Sequence, residues 1–368
     1  MVGAGLVPAP FNNKMSVALR HHMMNLQNIR SRSHIIKLIR AWFDERGFTE
    51  IHTPRLIGLP GQEPYLEPFW TEVETPNATS EKSSLPSSSF PAALITSPEY
   101  ALKRLLAEGM DKIYDLGSCF RNGEPWDGTH DPEFLLLEWY RRDAGLDDLM
   151  SDTEDMVMFV SREFRSVPPI LVHPWRRLTV EQAFREYLAL ELSSLLDDRK
   201  AFAETATKLG QTVTPQDTWD DIFFKIFLTH IEPKLGKDQP TFLYRYPASM
   251  ASLARRSKDD PRYADRVELY IDGLELANGF AELADPVEQR TRFIEERQLR
   301  QNMAKKTWNL DERFLDCLPR MGNAAGIAFG VERLVMLLTG ASSINDILPF
   351  PARERFVPEE EKRPTKKK

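Results

Sequence analysis

The feature that most constrains the fold is a pair of apolar segments separated by a loop of turn-forming residues. Ile113, Tyr114, Leu116 and Phe120 supply the first apolar segment, and Phe134–Tyr140 supply the second. The connector between them is rich in Gly, Pro, Asp and Asn, which is the composition of a long hairpin loop. The pattern therefore predicts two antiparallel strands and commits this part of the chain to a sheet.

Charged and aromatic residues are grouped on this hairpin. Arg121 ends the first strand, and Glu124 and Glu133 lie in the loop or just after it. A guanidinium can hold phosphate or carboxylate oxygens bidentately, and Phe134 offers a flat face for stacking. These groups suit a polyanion that carries an amine-bearing base. An antiparallel hairpin with ordinary surface charges is the alternative.

Composition indicates a soluble globular protein. At 368 residues the chain could form one large domain or two ordinary ones, and 42% hydrophobic with 28% charged residues is typical of that class. The net charge of -7 does not favour nucleic acid. Cys119 and Cys317 are far apart and lack metal-ligand spacing, which argues against zinc and disulfides and favours a reducing cytoplasm. No apolar segment is long enough to span a membrane.

A helix and a strand are predicted near the N-terminus. Ser31 or Ser33 can cap a helix whose apolar positions recur at helical spacing over Ile35–Phe43, and Gly47 closes it. Residues 48–53 then alternate as a strand. We expect residues 1–29, which precede this helix, to form a flexible extension.

Two further segments carry no recognisable chemistry. Residues 74–92 are rich in Ser, Pro and Thr, and we expect a mobile insertion. Residues 145–235 have Leu, Phe and Ala at helical spacing with a turn at Pro168-Pro169, which predicts a mostly helical insertion. Residues 357–368 form a basic C-terminal tail.

The segment after the first insertion places a carboxylate at a helix start. Ser97 can cap a helix that begins at Pro98, and Glu99 falls in its first turn, where the helix dipole favours negative charge. On these residues alone, Glu99 could simply be a capping carboxylate.

A second hairpin carries two acidic residues. Asp272-Gly273 between alternating residues is a strong two-residue turn signal, and this turn sets Glu268 diagonal to Glu275 on one face. Two carboxylates on one face repel each other unless a cation lies between them, and oxygen ligands on a rigid sheet suit Mg²⁺ with phosphates. A solvated sheet face is the alternative.

Asn278 and Glu282 follow these carboxylates in the sequence, and their sheet face depends on the backbone at Gly279. Simple pleating puts Asn278 on the opposite face, so Asn278 can join the site only if Gly279 marks a bulge or a sharp bend. Glu282 lies beyond that break.

A glycine-rich strand and an apolar helix end the informative part of the chain. Small residues over 324–330, including Ala328 and Gly330, leave room for a ligand or a backbone to lie against the strand. Arg333 lies in the first turn of the helix over Val331–Leu338, where a cation opposes the dipole, so it is expected to serve an anion. Close packing of the strand on the helix is the alternative.

Taken together, these segments resemble the three motifs of the class II aminoacyl-tRNA synthetases, in order. The helix and strand near the N-terminus resemble motif 1, the hairpin around Arg121 motif 2, and the strand and helix around Arg333 motif 3. The match covers residues 30–356, and it implies an α+β catalytic domain with an antiparallel sheet flanked by helices. It also implies a homodimer that binds ATP and Mg²⁺.

Within that class, the closest resemblance is to lysyl-type enzymes, with two differences. The roughly thirty residues before motif 1 are too few for an anticodon-binding OB domain. In addition, Ala328 stands where the lysyl enzymes have glycine. An alanine at this position resembles the elongation factor P–(R)-β-lysine ligase family. A methyl group on the pocket floor could favour an amino acid whose amine lies one carbon further out, with a discrimination of about 1–3 kcal/mol.

This resemblance implies a reaction and a set of site residues. The substrate carboxylate would attack the α-phosphate of ATP, and the acyl-adenylate would pass to a lysine of elongation factor P. Positioning and neutralisation of phosphate charge would carry most of the first step. The residues implied for ATP are Arg121 on the α-phosphate and substrate carboxylate, Arg333 on the γ-phosphate, Glu124 and Phe134 on adenine, and Asn122, Asp131, Glu275, Leu276 and Gly330, with Glu268 and Glu275 on Mg²⁺. Those implied for the amino acid are Ser97, Glu99 on the nearer amine, Asn278 on the carboxylate, Tyr140 with Glu282 on the distal ammonium, and Ala328.

The motif 2 loop departs from the family pattern. Gly123 stands where relatives often have glutamate, the loop is one residue longer, and no basic residue lies near His130. Asp131 replaces the usual Asn. These departures fall around Glu124, the residue implied for adenine, and leave Arg121 within the family pattern.

The same residues also allow two other functions. The chain could form lysyl-adenylate and charge tRNA or another acceptor, or it could be an inactive paralog that senses an amino acid. The retention of Arg121, Glu268, Glu275 and Arg333 argues against the inactive paralog. Absence of an anticodon domain argues against stable tRNA binding, and no membrane contact is expected.

Overall fold

The computed structural model describes residues 25–74, 89–164, 170–171 and 173–356. The helices in these ranges are α1 (Leu26–Glu45), α2 (Glu99–Ala107), α3 (Leu146–Ser161), α4 (Val180–Leu188), α5 (Arg199–Lys208), α6 (Trp219–His230), α7 (Pro286–Asn302), α8 (Glu312–Met321), α9 (Val331–Thr339) and α10 (Ala352–Phe356). The strands are β1 (Thr49–Glu50), β2 (Leu56–Ile57), β3 (Trp70–Glu74), β4 (Ser89–Leu94), β5 (Lys112–Phe120), β6 (Glu133–Arg142), β7 (Arg176–Thr179), β8 (Thr241–Pro247), β9 (Tyr263–Ile271), β10 (Leu274–Ala281) and β11 (Ala324–Gly330).

An eight-stranded sheet organises the described chain. Its order is β1-β5-β6-β11-β10-β9-β8-β7, and every neighbouring pair is antiparallel except β1 with β5 and β7 with β8. The two hairpins predicted from the sequence, β5–β6 and β9–β10, lie on either side of β11. A smaller sheet, β2-β4-β3, is separate from it. The α+β architecture is therefore confirmed.

Helices cover both faces of the large sheet. Alternation along β6 sends Trp139 into one core, where α1, α3 and α9 pack, and Tyr140 into the other, where α2 and α8 pack. Trp42 of α1 and Phe314 of α8 are fully buried in these two cores. The face that carries Tyr140 is also the face that carries the polar residues described below.

The segment 145–235 is less uniform than its periodicity predicts. Helix α3 packs on the large sheet rather than in a separate unit, and strand β7 pairs with β8. Helices α4 to α6 surround a core of their own that includes Phe184 and Phe223 and extends to β8. The turn predicted at Pro168-Pro169 lies outside the described residues.

Helix α1 begins earlier than predicted. Asn25 caps it by accepting hydrogen bonds from the backbone N–H groups of Gln27 and Asn28, so Ser31 and Ser33 lie inside the helix and do not cap it. The first turn of α1 therefore lies within the segment assigned to the extension. In the described part of the chain, neither α1 nor any other helix is both long enough and apolar enough to cross a bilayer.

Two strand predictions also need correction. The strand predicted over 48–53 is regular only at Thr49–Glu50, because Thr53 turns to bond the carboxylate of Asp115. The insertion predicted over 74–92 ends in strand β4, which begins at Ser89, and residues 75–88 lie outside the described part.

The β9–β10 hairpin has the predicted turn but a different bulge. Asp272 and Gly273 both have positive φ, as a two-residue turn of this kind requires. The register shifts between Glu275 and Ala277, and Gly279 pairs regularly on both sides, so the bulge predicted at Gly279 is wrong. The shift has the predicted consequence nonetheless, because it turns Asn278 to the face that carries Glu268.

Candidate active site

A row of directly paired residues crosses the middle of the sheet on the face toward α2. Glu138 of β6 pairs with Ala328 of β11, Ala328 with Asn278 of β10, and Asn278 with Glu268 of β9. Directly opposite residues project from the same face, so these four side chains form one floor. Ala328 is the apolar position in this floor, between a carboxylate and an amide.

The adjacent row shows why a glycine is needed beside this floor. Tyr140 pairs with Gly326, and a Cβ on Gly326 would lie 2.1 Å from the Tyr140 ring. The ring therefore lies flat across β11. Its hydroxyl donates a 2.6 Å hydrogen bond to Glu138, which keeps both groups at the edge of the floor.

Two arginines lie at one end of the floor. The guanidinium of Arg121 is 5.0 Å from the centre of the Phe134 ring, and its buried Nε has no hydrogen-bond partner among the described residues. Arg333 donates to the backbone carbonyl of Glu275 and lies 3.2 Å from Nε2 of His130. An unpartnered buried guanidinium nitrogen suits an anionic ligand.

The carboxylate of Glu275 lies in the field of both arginines. Burial and the neighbouring charge of Glu268 raise the pKa of Glu275 to about 7, and Arg333, Arg266 and Arg121 oppose that rise. The four charges that the sequence predicts to lie together, Arg121, Arg333, Glu268 and Glu275, therefore act within one region, and Arg266 joins them.

The carboxylates of Glu268 and Glu275 differ in how many hydrogen bonds they accept from the protein. Glu268 is buried and accepts hydrogen bonds from Tyr246, Tyr270 and Arg266, the last two at 2.6 Å. Glu275 makes no side-chain hydrogen bond within the described chain. Glu275 fits Mg²⁺ bound to phosphates, because that ion takes one or two protein carboxylates and fills its other positions with phosphate oxygens and water. Glu268 could join it only by sharing an oxygen that already accepts a protein hydrogen bond. Arg266, which also donates to Asn278 at 3.2 Å, lies two positions before Glu268 on the same face, a spacing that could have identified it.

The other end of the floor holds a buried ion-pair cluster. The ammonium of Lys103 lies 2.5 Å from a carboxylate oxygen of Glu99 and 2.5 Å from one of Glu282. Burial lowers the pKa of Lys103, but the charges of Glu282 and Glu99 raise it above its ordinary value. Lys103 is not among the residues predicted from the sequence, although a lysine four residues after Glu99 on a predicted helix lies on the same helix face.

Glu138 is a third carboxylate at this end that the sequence reasoning missed. It accepts the hydroxyl of Tyr140 and, at 2.7 Å, that of Ser97. Ser97 also accepts the backbone N–H of Glu99, but the N-cap of α2 is Pro98 and the helix begins at Glu99, one residue later than predicted. Burial and the charge of Glu99 raise the pKa of Glu138. Its position two residues before Tyr140 on a predicted strand was the available signal.

A loop held by a buried arginine closes this end. Arg300 of α7 is fully buried and donates to the carbonyls of Glu63 and Leu66, at 2.9 and 2.8 Å, and to the carboxylate of Glu67 at 2.8 Å. The loop thereby places Glu63 in the field of Glu99, and burial together with that charge raises the pKa of Glu63. A groove of about 1260 Å³ runs past Glu63 and Glu99 to the surface.

The hairpin loop is attached to the C-terminal helix. Asp131 is buried, and its carboxylate pairs with Arg355 at 2.5 Å and accepts the backbone N–H of Ala352 at 2.7 Å. Arg355 also pairs with Glu133 at 3.0 Å, and the Trp126 ring stacks on Phe356. Both oxygens of Asp131 are thus engaged by protein groups, which suits positioning of the loop rather than direct contact with a nucleotide.

The remaining predicted residues are placed less directly. Asn122 is exposed and its backbone pairs with Glu67, and Glu124 makes no hydrogen bond or ion pair with the described residues. The Leu276 side chain is in the core on the opposite face, so only its backbone can reach a ligand. A Cβ on Gly330 would lie 3.7 Å from both the Arg333 side chain and the Leu276 carbonyl, which is ordinary contact distance.

Comparison with known proteins agrees with this geometry. Residues 12–354 match the family model described as tRNA synthetases class II (D, K and N). The chain is 36% identical over 330 residues to the elongation factor P–(R)-β-lysine ligase of Proteus mirabilis, covering 89% of this chain and 95% of the relative. It is 35% and 36% identical to the ligases of the same name from Hamiltonella defensa and Haemophilus influenzae, with the same coverage. The chain therefore belongs to the class II aminoacyl-tRNA synthetase family, in the group of the elongation factor P–(R)-β-lysine ligases.

Proposed function

We propose that this protein uses ATP to activate (R)-β-lysine as an acyl-adenylate and transfers the β-lysyl group to a lysine side chain of elongation factor P. Relatives that match nearly their whole length carry this name. The observation that carries the proposal is the sheet floor, in which Ala328 separates Glu138 from Asn278 between a cationic end and an acidic end. That order suits a substrate with one carboxylate and two amines.

Activation needs positioning and charge neutralisation more than proton transfer. The substrate carboxylate is already a nucleophile, and its attack on the α-phosphate breaks the bond to pyrophosphate. Arg121 would hold the carboxylate and the α-phosphate together, and Arg333 would bind the terminal phosphate. Mg²⁺, held by Glu275 and Glu268, would supply further neutralisation of phosphate charge.

The acidic end would hold the amines. Glu99 lies at the start of α2 and Glu282 at the end of β10, so the two carboxylates are on different elements around one pocket. We assign the nearer amine to Glu99 and the distal ammonium to Glu282 with Tyr140. We assign Asn278, on the floor, to the substrate carboxylate. In the second step, the acceptor amine forms an amide with the acyl carbon and AMP leaves.

Transfer to a protein acceptor can be measured by mass spectrometry. The full-length protein is incubated with ATP, Mg²⁺, (R)-β-lysine and elongation factor P, with a parallel reaction that contains tRNA. We expect the acceptor to gain the mass of one β-lysyl group on one lysine, and tRNA to stay uncharged. An unmodified acceptor with charged tRNA would contradict the proposal in favour of the tRNA-charging alternative, and the absence of both products would favour the amino-acid sensor.

We further infer a homodimer that acts in the cytoplasm. The inference rests on the resemblance of α1 and β1 to the dimerising motif 1 and on the role of the acceptor in translation. Analytical ultracentrifugation should give twice the chain mass. A monomer that retains activity would contradict it.

Ala328→Gly should shift the amino acid preference. Removing the floor methyl enlarges the space between Glu138 and Asn278, which should let an α-amino acid settle deeper. We expect kcat/KM for α-lysine relative to (R)-β-lysine to rise about tenfold in ATP–pyrophosphate exchange. Ala325→Gly, on the same strand but facing the opposite core, is the matched control. An unchanged ratio would contradict the steric role of Ala328.

Arg355→Ala should weaken ATP binding more than amino acid binding. Without Arg355, Asp131 and Glu133 lose their shared partner and the hairpin loop is less well held. We expect KM for ATP to rise about tenfold while KM for the amino acid changes little, since a charge-assisted hydrogen bond contributes about 1.5–3 kcal/mol. Arg320→Ala, which removes a surface pair with Glu108, is the control. Equal increases in both KM values would count against a role confined to the loop.

A further inference from the structure

Lys103 is the one buried cation of the described residues in the acidic end of the site, and its position is fixed. It lies on α2, one turn after Glu99, and its side chain is 1% exposed. Its ammonium contacts two carboxylates on two different elements at 2.5 Å each. Because the side chain has no exposed route outward, Lys103 stays in the cluster when a ligand enters.

This arrangement divides the carboxylate oxygens between Lys103 and a ligand. Lys103 takes Oε1 of Glu99 and Oε2 of Glu282. Neither oxygen of Glu282 accepts a hydrogen bond from the described residues: Oε2 makes only the ion-pair contact with Lys103, and the buried Oε1 has no partner. A buried carboxylate oxygen without a donor is costly, so it favours a ligand that brings an N–H group.

The charges of the cluster leave a defined deficit. Burial raises the pKa of Glu138 and Glu282, so both are fully ionised only when cations lie against them. In that state Glu99, Glu138 and Glu282 bring three negative charges, and Lys103 cancels one of them. Two positive charges are therefore needed for neutrality, which is the number of ammonium groups on a diamino acid, whose own carboxylate is assigned to Arg121.

The surrounding charges lie further out. Glu63, on the loop held by Arg300, and Glu296, on α7, are half-buried and add to the negative field on Glu99. Arg121 and Arg292 oppose them. These groups are partly solvated and act at longer range, so the contacts of Lys103 dominate the balance within the pocket.

We propose that Lys103 is a specificity-determining residue that sets the pocket charge to match amino acids with two ammonium groups. It acts by neutralising one of three buried carboxylates, so that a diamino acid completes the charge balance and a monoamino acid leaves a buried carboxylate unpaired. The inference rests on the proposed function only in assigning these carboxylates to the substrate amines.

A double-mutant cycle on Lys103 and Glu138 tests this role. Lys103→Met leaves one negative charge too many, Glu138→Gln leaves one too few, and the double variant restores the original balance while keeping Glu99 and Glu282. We expect each single variant to raise KM for the diamino acid about tenfold or more in ATP–pyrophosphate exchange, and the double variant to recover most of that loss. KM for ATP, bound at the opposite end of the floor, should stay within about twofold throughout.

A purely structural role for Lys103 gives a different result. If the lysine only ties α2 to β10, the losses of the two single variants multiply in the double variant, and that outcome would overturn the proposal. Thermal unfolding of each variant reports folding separately. Where Lys103→Met alone does not fold, the comparison of the double variant with Glu138→Gln still decides, because recovery relative to Glu138→Gln requires charge balance.

Selectivity gives a second readout. The probes are (R)-β-lysine and 3-aminohexanoate of the same spatial arrangement, which lacks the distal amine. Glu138→Gln should raise the relative kcat/KM for the monoamino acid about tenfold, and an unchanged ratio would overturn the proposal. α-Lysine also carries two ammonium groups. If the wild type catalyses exchange with α-lysine and not with (R)-β-lysine, the proposed substrate is wrong. The double-mutant cycle on Lys103 and Glu138 can then be run with α-lysine and still tests the role of Lys103. If the protein catalyses no exchange, the affinities of the variants for the same probes can be compared by calorimetry.

Discussion

Arg121→Ala should lower the rate of ATP–pyrophosphate exchange by about a thousandfold. Arg121 is assigned to both reacting groups, the substrate carboxylate and the α-phosphate, and preorganised cationic donors at such a centre contribute about 10²–10³ in kcat each. The buried Nε without a partner and the position above Phe134 indicate that this guanidinium is held ready for an anion. Exchange is measured with saturating ATP and amino acid, so that a loss of kcat is separated from a loss of binding.

The controls for this variant separate charge from geometry. Arg121→Lys keeps the charge but loses the bidentate geometry, so we expect it to recover only a small part of the activity. Arg142→Ala removes an arginine from the far end of the same hairpin, and its exchange rate should stay close to that of the wild type. Activity of Arg121→Ala within tenfold of the wild type would contradict the assignment.

Glu275→Gln should stabilise the ligand-free fold while lowering activity about a hundredfold or more. The raised pKa, about 7 against an ordinary 4.5, means that the folded protein holds a proton that the unfolded chain has released. Stability is therefore lost as pH rises from about 4.5 through about 7. Glutamine cannot ionise, so the variant escapes this loss. The gain at pH 8 should be about 1–2 kcal/mol, allowing for solvent screening of a half-buried group, and should vanish near pH 4.5.

The free energy of unfolding at pH 4.5 and pH 8, together with ATP–pyrophosphate exchange at pH 8, tests whether Glu275→Gln raises stability while it lowers activity. Asp220→Asn is the control, because burial also raises the pKa of Asp220 but the residue lies on α6, away from the two arginines. That variant should gain stability without losing activity. A Glu275→Gln protein that is no more stable at pH 8, or that keeps full activity, would show that Glu275 is not a strained ligand-binding carboxylate.

The sequence was sufficient for the elements that carry strong local signals. Both hairpins, the helix that starts near Ser97 and the helix that carries Arg333 have turn residues and periodicity that agree with the fold. The pairing of Glu268 diagonal to Glu275 follows from the turn at Asp272-Gly273 alone. These local rules placed Glu268 on the floor, but they missed Glu138 and put Asn278 on the opposite face.

The features that were missed depend on contacts between distant segments. No glycine in the sequence indicates the β-bulge beside Glu275. The bulge is seen only in the pairing of β10 with β9 and β11. The partners of Lys103 come from two elements, and the partner of Asp131 lies more than two hundred positions away, at Arg355. The start of α1 was misplaced because Asn25 caps as well as serine does. Propensity and periodicity do not report such tertiary pairings.

The amino acid dependence of ATP–pyrophosphate exchange tests the central claim most directly. The claim is that one sheet floor brings two arginines and two carboxylates to a triphosphate beside a pocket for a diamino acid. We predict that the purified full-length protein catalyses exchange with (R)-β-lysine at a kcat/KM well above that with α-lysine. Equal rates with the two amino acids would show that Ala328 does not determine selectivity. No exchange with either amino acid would contradict the claim that the protein is an adenylate-forming enzyme.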